Sequence, residues 1–191
     1  MVLAVAVRAD DRRQVDRLFE LLELAPGMTV ADVGAGSGPL TVLMAQRIGP
    51  EGRLYSTDID QNRLKEIRAA VAKNHLQNVE VVEGAERATN LPDECCDAIF
   101  IRDVYHHFTD PASMDQSLAA ALKPGGRLAI IDFEPRSGSE LPAGVPANRG
   151  GHGIRPELLE SEVTAAGLSK AETISQWDGQ KGLFLILFRK P

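Results

Sequence analysis

The stretch Val30-Ala-Asp-Val-Gly-Ala-Gly-Ser-Gly38 sets three glycines at alternate positions, two residues after a carboxylate. With no Cβ at Gly34, Gly36 and Gly38, and only a methyl at Ala35, backbone there can approach a ligand closely. Twenty residues beyond Gly38, Asp58 closes a second apolar run, where a carboxylate can accept hydrogen bonds from both hydroxyls of a ribose. Alone, Asp32 could cap a turn and the glycines could simply form one; together with Asp58 they describe a nucleoside site. Two nucleoside cofactors compete for it, a dinucleotide and S-adenosylmethionine. The dinucleotide fingerprint is Gly-x-Gly-x-x-Gly. Its third glycine falls on Pro39 counted from Gly34 and on Thr41 counted from Gly36, so the pattern fails in both registers. What remains suits a cofactor without a pyrophosphate and with an ammonium end, for which Asp32 is the nearby carboxylate.

A second group of reactive residues is Arg102-Asp-Val-Tyr-His-His-Phe108. Arg102 is a further candidate contact for the cofactor. His106 or His107 could take a proton from a hydroxyl, thiol or amine, because a neutral imidazole has the right strength near neutral pH. Each could equally be a packed or helix-capping histidine. His152, in Gly-Gly-His-Gly, could reach the same place as a ligand or base, although a lone loop histidine is usually solvated. No metal site is expected from these spacings. Glu83, Glu86 and Asp93 read individually as solvated surface charges.

These residues need a scaffold, and from residue 28 onward short β-rich runs alternate with helical patterns, as in βαβ units around a parallel sheet. Met28-Thr-Val-Ala-Asp-Val33 reads as a first strand. After the glycine turn, Leu40, Leu43, Met44 and Ile48 share one helical face, stopped by Gly49-Pro50. Arg53-Leu-Tyr-Ser-Thr-Asp58 is the second strand, and Leu64, Ile67 and Val71 mark the next helix. Val79-Glu-Val-Val82 and Asp97-Ala-Ile-Phe-Ile101 are the third and fourth strands. Asp110-Pro111 then opens a helix as N-cap and N1 residue, with Met114, Leu118 and Leu122 as its stripe. Lys123-Pro-Gly-Gly126 turns the chain into a fifth strand, Arg127-Leu-Ala-Ile-Ile-Asp-Phe133. Residues 134–155 are rich in Gly and Pro without periodicity and predict a long loop over one end of the sheet. A helix over 156–167 and strands over 170–176 and 183–189 close the chain. The fourth strand carries the Arg102–Phe108 segment to the carboxyl edge, where open α/β sheets bind ligands.

Several of these motifs stand in a familiar order: Pro26 to Gly38, Tyr55-Ser-Thr-Asp-Ile-Asp60, Leu91-Pro-Asp93 with Cys96-Asp97, and Leu122-Lys-Pro-Gly-Gly-Arg-Leu128. Over about residues 26–190 the chain resembles the class I methyltransferase family, in particular its common bacterial branch with a generic methyltransferase domain. The resemblance implies a Rossmann-like α/β fold: a seven-stranded, mostly parallel, doubly wound sheet with an antiparallel last strand and helices on both faces. It also implies S-adenosylmethionine as co-substrate and S-adenosylhomocysteine as product. Asp32 with the Gly34, Gly36 and Gly38 backbone would hold the methionine portion, Asp58 the ribose and Ile59 one face of adenine, while Gly84-Ala85-Glu86 would edge the ring. The chain departs from the family pattern at Ala85, where relatives often carry an acidic residue for the adenine amino group. Glu86 or a backbone carbonyl is left for that contact. No Asn/Asp-Pro-Pro-Tyr follows the fourth strand, as in methyltransferases acting on adenine or glutamine amino groups, and no Pro-Cys nucleophile is present, as in cytosine C5 enzymes.

The chain has 191 residues, 43% hydrophobic and 25% charged, which fits a single domain with a full core. Its net charge of -6 and lack of a basic run disfavour nucleic acid and membrane surfaces as partners. The only cysteines, Cys95 and Cys96, are adjacent, which excludes a disulfide framework, points to the cytoplasm, and fits core packing better than a thiol site for arsenic. Met1 to Val7 is apolar but shorter than an export signal and without a preceding basic residue; it reads as a short strand or as part of an N-terminal arm over residues 1–12, with a trimmed signal or anchor as the alternative. The expected activity is methyl transfer to a small-molecule acceptor. A protein that binds S-adenosylmethionine or S-adenosylhomocysteine without turnover is the alternative, and a nicotinamide oxidoreductase is weak on glycine spacing.

Overall fold

The central strands are almost wholly apolar because they are covered on both faces, as parallel strands must be. The computed structural model describes residues 8–136 and 138–191. The Met1 to Val7 segment lies outside the described residues. One sheet contains strands β1 (Thr29–Val33), β2 (Arg53–Asp58), β3 (Val79–Glu83), β4 (Cys96–Arg102), β5 (Leu122–Phe133), β6 (Ser169–Ser175) and β7 (Leu183–Arg189). Their order is β3-β2-β1-β4-β5-β7-β6. Neighbours from β3 through β5 are parallel, while β7 runs antiparallel to both β5 and β6 and is the single reversed strand.

Alternation along the strands sends successive side chains to opposite faces. Ala31, Val33, Ile99, Ile101, Leu128 and Ile130 face one core, which is closed by Met114 and Leu118 of helix α4 (Pro111–Ala121) and by Leu159 and Val163 of α5 (Pro156–Ala165). Val30, Leu54, Phe100, Ala129 and Ile131 face the other, which is closed by α1 (Ala9–Leu21) and α2 (Pro39–Ile48) through Val15, Leu18, Leu40, Met44 and Ile48. Each such buried Leu, Ile or Phe is worth about 1.5–3 kcal/mol. Helix α3 (Gln61–Lys73) buries Leu64, Ile67 and Ala70 and begins at Asp60, whose carboxylate accepts from the Asn62 N–H. Asp110 caps α4 in the same way, accepting from the Ser113 N–H, with Pro111 at N1.

Helix α1 corrects the expected arm over residues 1–12, since residues 9–12 are its first turn. Its polar face hides the pattern in the sequence, yet Val15 and Leu18 are fully packed. The Asp11 carboxylate accepts from the Arg8 N–H on one side and from Arg102 Nη1 on the other, at 2.9 and 3.0 Å. The helix is thereby tied to the carboxyl end of β4.

The segment 134–155 follows β5 at the carboxyl edge of the sheet. It is packed down rather than loose. Ile154 is fully buried and its N–H donates to the Phe133 carbonyl; a Cβ at Gly153 would lie 2.7 Å from that same oxygen. Arg149, in a 3-10 turn over Ala147–Arg149, is completely buried and donates to Glu162 of α5 at 2.7 Å. The Tyr105 hydroxyl donates to Asp115 (2.7 Å) and approaches Glu162 (3.1 Å), so the loop, the β4 exit and both helices meet in one buried polar cluster. Burial pushes the Asp115 carboxyl up to about 7.

Candidate functional site

The sheet order reverses at β1, whose outgoing turn passes to one face while that of β4 passes to the other, and the crevice between these two exits is where open α/β sheets hold ligands. Gly34, Gly36 and Gly38 all lie at positive φ (73, 59 and 83°), which explains why glycine occupies each position. The turn is pinned from β2: the Gly34 and Ala35 N–H groups both donate to the Thr57 carbonyl at 2.9 Å. The Gly36 N–H donates to Asp58 Oδ2 at 2.9 Å, and the other carboxylate oxygen accepts from the Asp60 N–H at 3.0 Å. The glycine turn and Asp58 therefore meet in one place.

Two adjoining hollows flank this junction. A cleft of about 390 Å³ is lined by Gly34, Asp58, Ile59, Gly84, Ala85 and Glu86, together with Val104, His107 and Phe108. Ile59 is 60% exposed, the one large hydrophobic side chain left in solvent among the described residues. Leaving that apolar area open at a cleft mouth has a cost that a flat apolar ligand would offset. The second hollow, about 300 Å³, is lined by Asp32, Gly34, Ala35, Gly36 and Arg102, and shares Gly34 and Val104 with the first. A Cβ at Gly34 would stand 2.7 Å from both Val104 methyls, whereas one at Gly36 would meet nothing within 4 Å. Gly34 is thus required by packing, and Gly36 by its positive φ. Gly38 caps α2 in the left-handed region.

Asp32 is only 3% exposed and accepts from the Thr41 hydroxyl at 2.7 Å; Thr41 in turn contacts Ser56 at 2.8 Å. Desolvation pushes its carboxyl up to about 6, against the hydrogen bond from Thr41 and the nearby Arg102 guanidinium, with Asp58 adding to the rise. Arg102 reaches toward α1, donating to Asp11 and to Gln14 Oε1 (3.1 Å). Glu86 is exposed at the cleft rim, and the Ala85 N–H is already used on the Ala88 carbonyl. Glu83 and Asp93 are exposed, and Glu83 lines none of these hollows; Cys96 is buried in the core with Cys95 packed beside it.

His106 and His107 follow β4 in a 3-10 turn and differ in setting. His106 is 2% exposed; its Nδ1 donates to Asp132 Oδ1 at 2.7 Å and its backbone N–H to Asp132 Oδ2 at 3.0 Å. His107 is open to the 390 Å³ cleft, and burial plus the neighbouring imidazoles of His106 and His152 hold it below the usual histidine range. His152 comes from the long loop to within 3.1 Å of His106, Nε2 to Nε2. It also borders a third hollow, about 710 Å³, with Gln14, Arg102, Asp103, Phe133, Arg136 and Lys181.

A family model described as a methyltransferase domain matches residues 24–177. The chain belongs to the class I methyltransferase family. Among its relatives, a demethylmenaquinone methyltransferase of Listeria monocytogenes is 34% identical over 114 residues, 60% of this chain and 48% of its own. A ubiquinone/menaquinone biosynthesis C-methyltransferase UbiE of Teredinibacter turnerae is 36% identical over 127 residues, 64% of this chain and 50% of its own. The chain thus spans about half the length of these curated relatives. The crystal structure of a SAM-dependent methyltransferase from Aquifex aeolicus superposes with a TM-score of 0.75 at 25% identity, covering 93% of this chain and 89% of that one. The [4+2]-cyclase SpnF shares the methyltransferase fold at a TM-score of 0.77 and 16% identity, covering 94% of this chain and 81% of the other.

Sequence reasoning missed Asp11, Gln14, Thr41, Val104 and Asp132 at this site. The spacing of Val15, Leu18 and Leu22 is the signal that would have found α1 and with it the first two. Asp132 carried a weaker one, an acidic residue directly after the apolar run Leu128 to Ile131.

Proposed function

We propose that this chain transfers a methyl group from S-adenosylmethionine to a small-molecule acceptor. The observation that carries the reading is the 2.9 Å bond between the Gly36 N–H and Asp58, which sets the glycine turn and the β2 carboxylate together at the junction of the two adjoining hollows. The residues present fit such a ligand: open space over Gly36, an exposed apolar side chain at Ile59, and a carboxylate held dry at Asp32.

In this reading Asp58 exchanges its bond with the turn for the ribose hydroxyls. Ile59 covers one face of adenine, with Gly84, Ala85 and Glu86 at the ring's edge, and Glu86 or a backbone carbonyl meets the amino group in place of the acidic residue replaced by Ala85. Asp32 and the Gly34–Gly38 backbone hold the methionine end, with Arg102 supporting Asp32 electrostatically. S-adenosylmethionine supplies an electrophilic methyl on a sulfonium, and in-line displacement of such a methyl depends on alignment and water exclusion more than on proton transfer. The chain's contribution is then to position the acceptor in the 710 Å³ hollow beside His152 and to keep water out with residues 134–155. His106 is a positioned group rather than a free base, since Asp132 holds its Nδ1; His107 is the histidine with access to the cleft.

The relatives named for quinone biosynthesis support a small acceptor over a macromolecule. Incubation with methyl-labelled S-adenosylmethionine and separated fractions of a cell extract tests this. Label in the small-molecule fraction is expected; label confined to protein or nucleic acid, or none above a no-enzyme control, would overturn it.

A further inference from the structure

The fold brings together three imidazoles that the sequence scatters over 46 positions, and the cofactor cleft accounts for none of the contacts among them. The coordinating nitrogens of His106, His107 and His152 all lie within 4.8 Å of one another. Two nitrogens bound to one transition-metal ion at about 2.0–2.1 Å sit about 2.9–3.4 Å apart, from octahedral to tetrahedral geometry; His106 Nε2 and His152 Nε2 are already 3.1 Å apart. An ionised carboxylate only accepts, so Asp132 fixes the proton of His106 on Nδ1 and leaves the Nε2 lone pair facing His152. That carboxylate–histidine arrangement orients metal-binding imidazoles and raises their basicity.

His152 is as firmly placed. Its backbone N–H donates to Ser139 Oγ at 2.9 Å and its carbonyl accepts from the Arg136 N–H. The glycines on either side lie at φ 140 and 123°, and a Cβ at either would press on neighbouring loop or strand atoms. The loop is therefore built to hold one imidazole against the β4 exit.

We propose that His106, His107 and His152 bind a divalent transition-metal ion of the zinc and cobalt class, with Asp132 orienting His106. Three imidazoles leave at least one coordination position open, as in metal sites that act on a substrate. His107 borders the cofactor cleft and His152 the 710 Å³ hollow, so the open position lies between them. It suits an acceptor bearing a hydroxyl: on coordination the oxygen gives its proton to water and binds as the anion. This choice of acceptor rests on the methyl-transfer reading; the metal site itself does not. It departs from the sequence expectation of no metal, because only the closed loop supplies the third ligand.

The test uses the full chain, stripped with a chelator and titrated with Co²⁺ alone while visible absorption is followed. One ion per chain with micromolar or tighter affinity is expected, displaced by Zn²⁺. His152→Ala and His107→Ala should each weaken Co²⁺ binding at least 10-fold, and Asp132→Asn about 10- to 100-fold. His107 is exposed, so its variant keeps the fold even if another does not. No stoichiometric binding, or equal binding in His107→Ala and His152→Ala, would overturn the site. Adding catechol to the Co²⁺ form should shift its bands; an unchanged spectrum would refute the open position. S-adenosylhomocysteine titrated into the same samples separates the two claims: binding without a metal site leaves the cofactor reading intact, and a metal site without nucleoside binding leaves only the metal.

Discussion

Asp32 is the side chain for which stability and function should pull in opposite directions. Burial lifts its carboxyl from 3.8 to about 6, a rise of about 2 units and so about 3 kcal/mol between the two protonation states. An acid whose pKa is raised by folding binds its proton more tightly in the folded chain, so stability is greatest below the unfolded pKa and falls as pH rises through the folded one. The full cost is present above about pH 7, and about 1.4 kcal/mol of it develops between pH 5 and pH 8. Asp32→Asn removes that titration. The Thr41 bond to the ionised carboxylate is already contained in that raised pKa, and the amide N–H that the variant must satisfy is the same at both pH values and cancels in the difference. Urea denaturation of wild type and Asp32→Asn at pH 5 and pH 8 should therefore show the variant gaining about 1.4 kcal/mol relative to wild type at the higher pH. Affinity for S-adenosylmethionine should drop in the same variant. A stability difference that does not change with pH, or one that moves the other way, would refute the reasoning.

Other perturbations test the surrounding parts. Gly34→Ala sets a methyl against Val104 at a positive φ and should lower stability by about 1–3 kcal/mol, read by thermal melting, with weaker cofactor binding. Ile59→Asp should leave stability within about 0.5 kcal/mol, because the side chain is exposed, while weakening nucleoside binding in calorimetry. Arg149→Ala strips Glu162 of its buried partner and should cost about 3 kcal/mol; limited proteolysis should then cut first within residues 134–155.

The parts legible in the sequence are those whose signal is local. The glycine turn is written in consecutive residues because positive φ at Gly34, Gly36 and Gly38 demands glycine at each one. Strands β1, β4 and β5 are legible because each carries apolar residues in succession, Val30-Ala31, Ala98 to Ile101 and Leu128 to Ile131, whose side chains are covered on both faces of the sheet. Helix α1 was hidden because its first turns are almost entirely charged, and its apolar stripe begins only at Val15. The histidine cluster was hidden for a different reason. His106 and His107 are visible as a pair, but the third imidazole arrives through closure of a loop whose anchors, Ile154 and Arg149, read as ordinary loop residues until they are seen buried. Ala85 left the adenine contact open in the sequence, because its methyl offers no acceptor for the amino group, and the proposed reading assigns that contact to Glu86 or a backbone carbonyl.

The account stands on Asp58 and the glycine turn gripping the same nucleoside. Calorimetric titration of S-adenosylhomocysteine into wild type and Asp58→Ala tests this most directly. One site per chain is expected in the wild type, weakened in the variant by about 1.5–3 kcal/mol through loss of charge-assisted hydrogen bonds. Absence of binding to the wild type, or equal affinity in the two proteins, would contradict it.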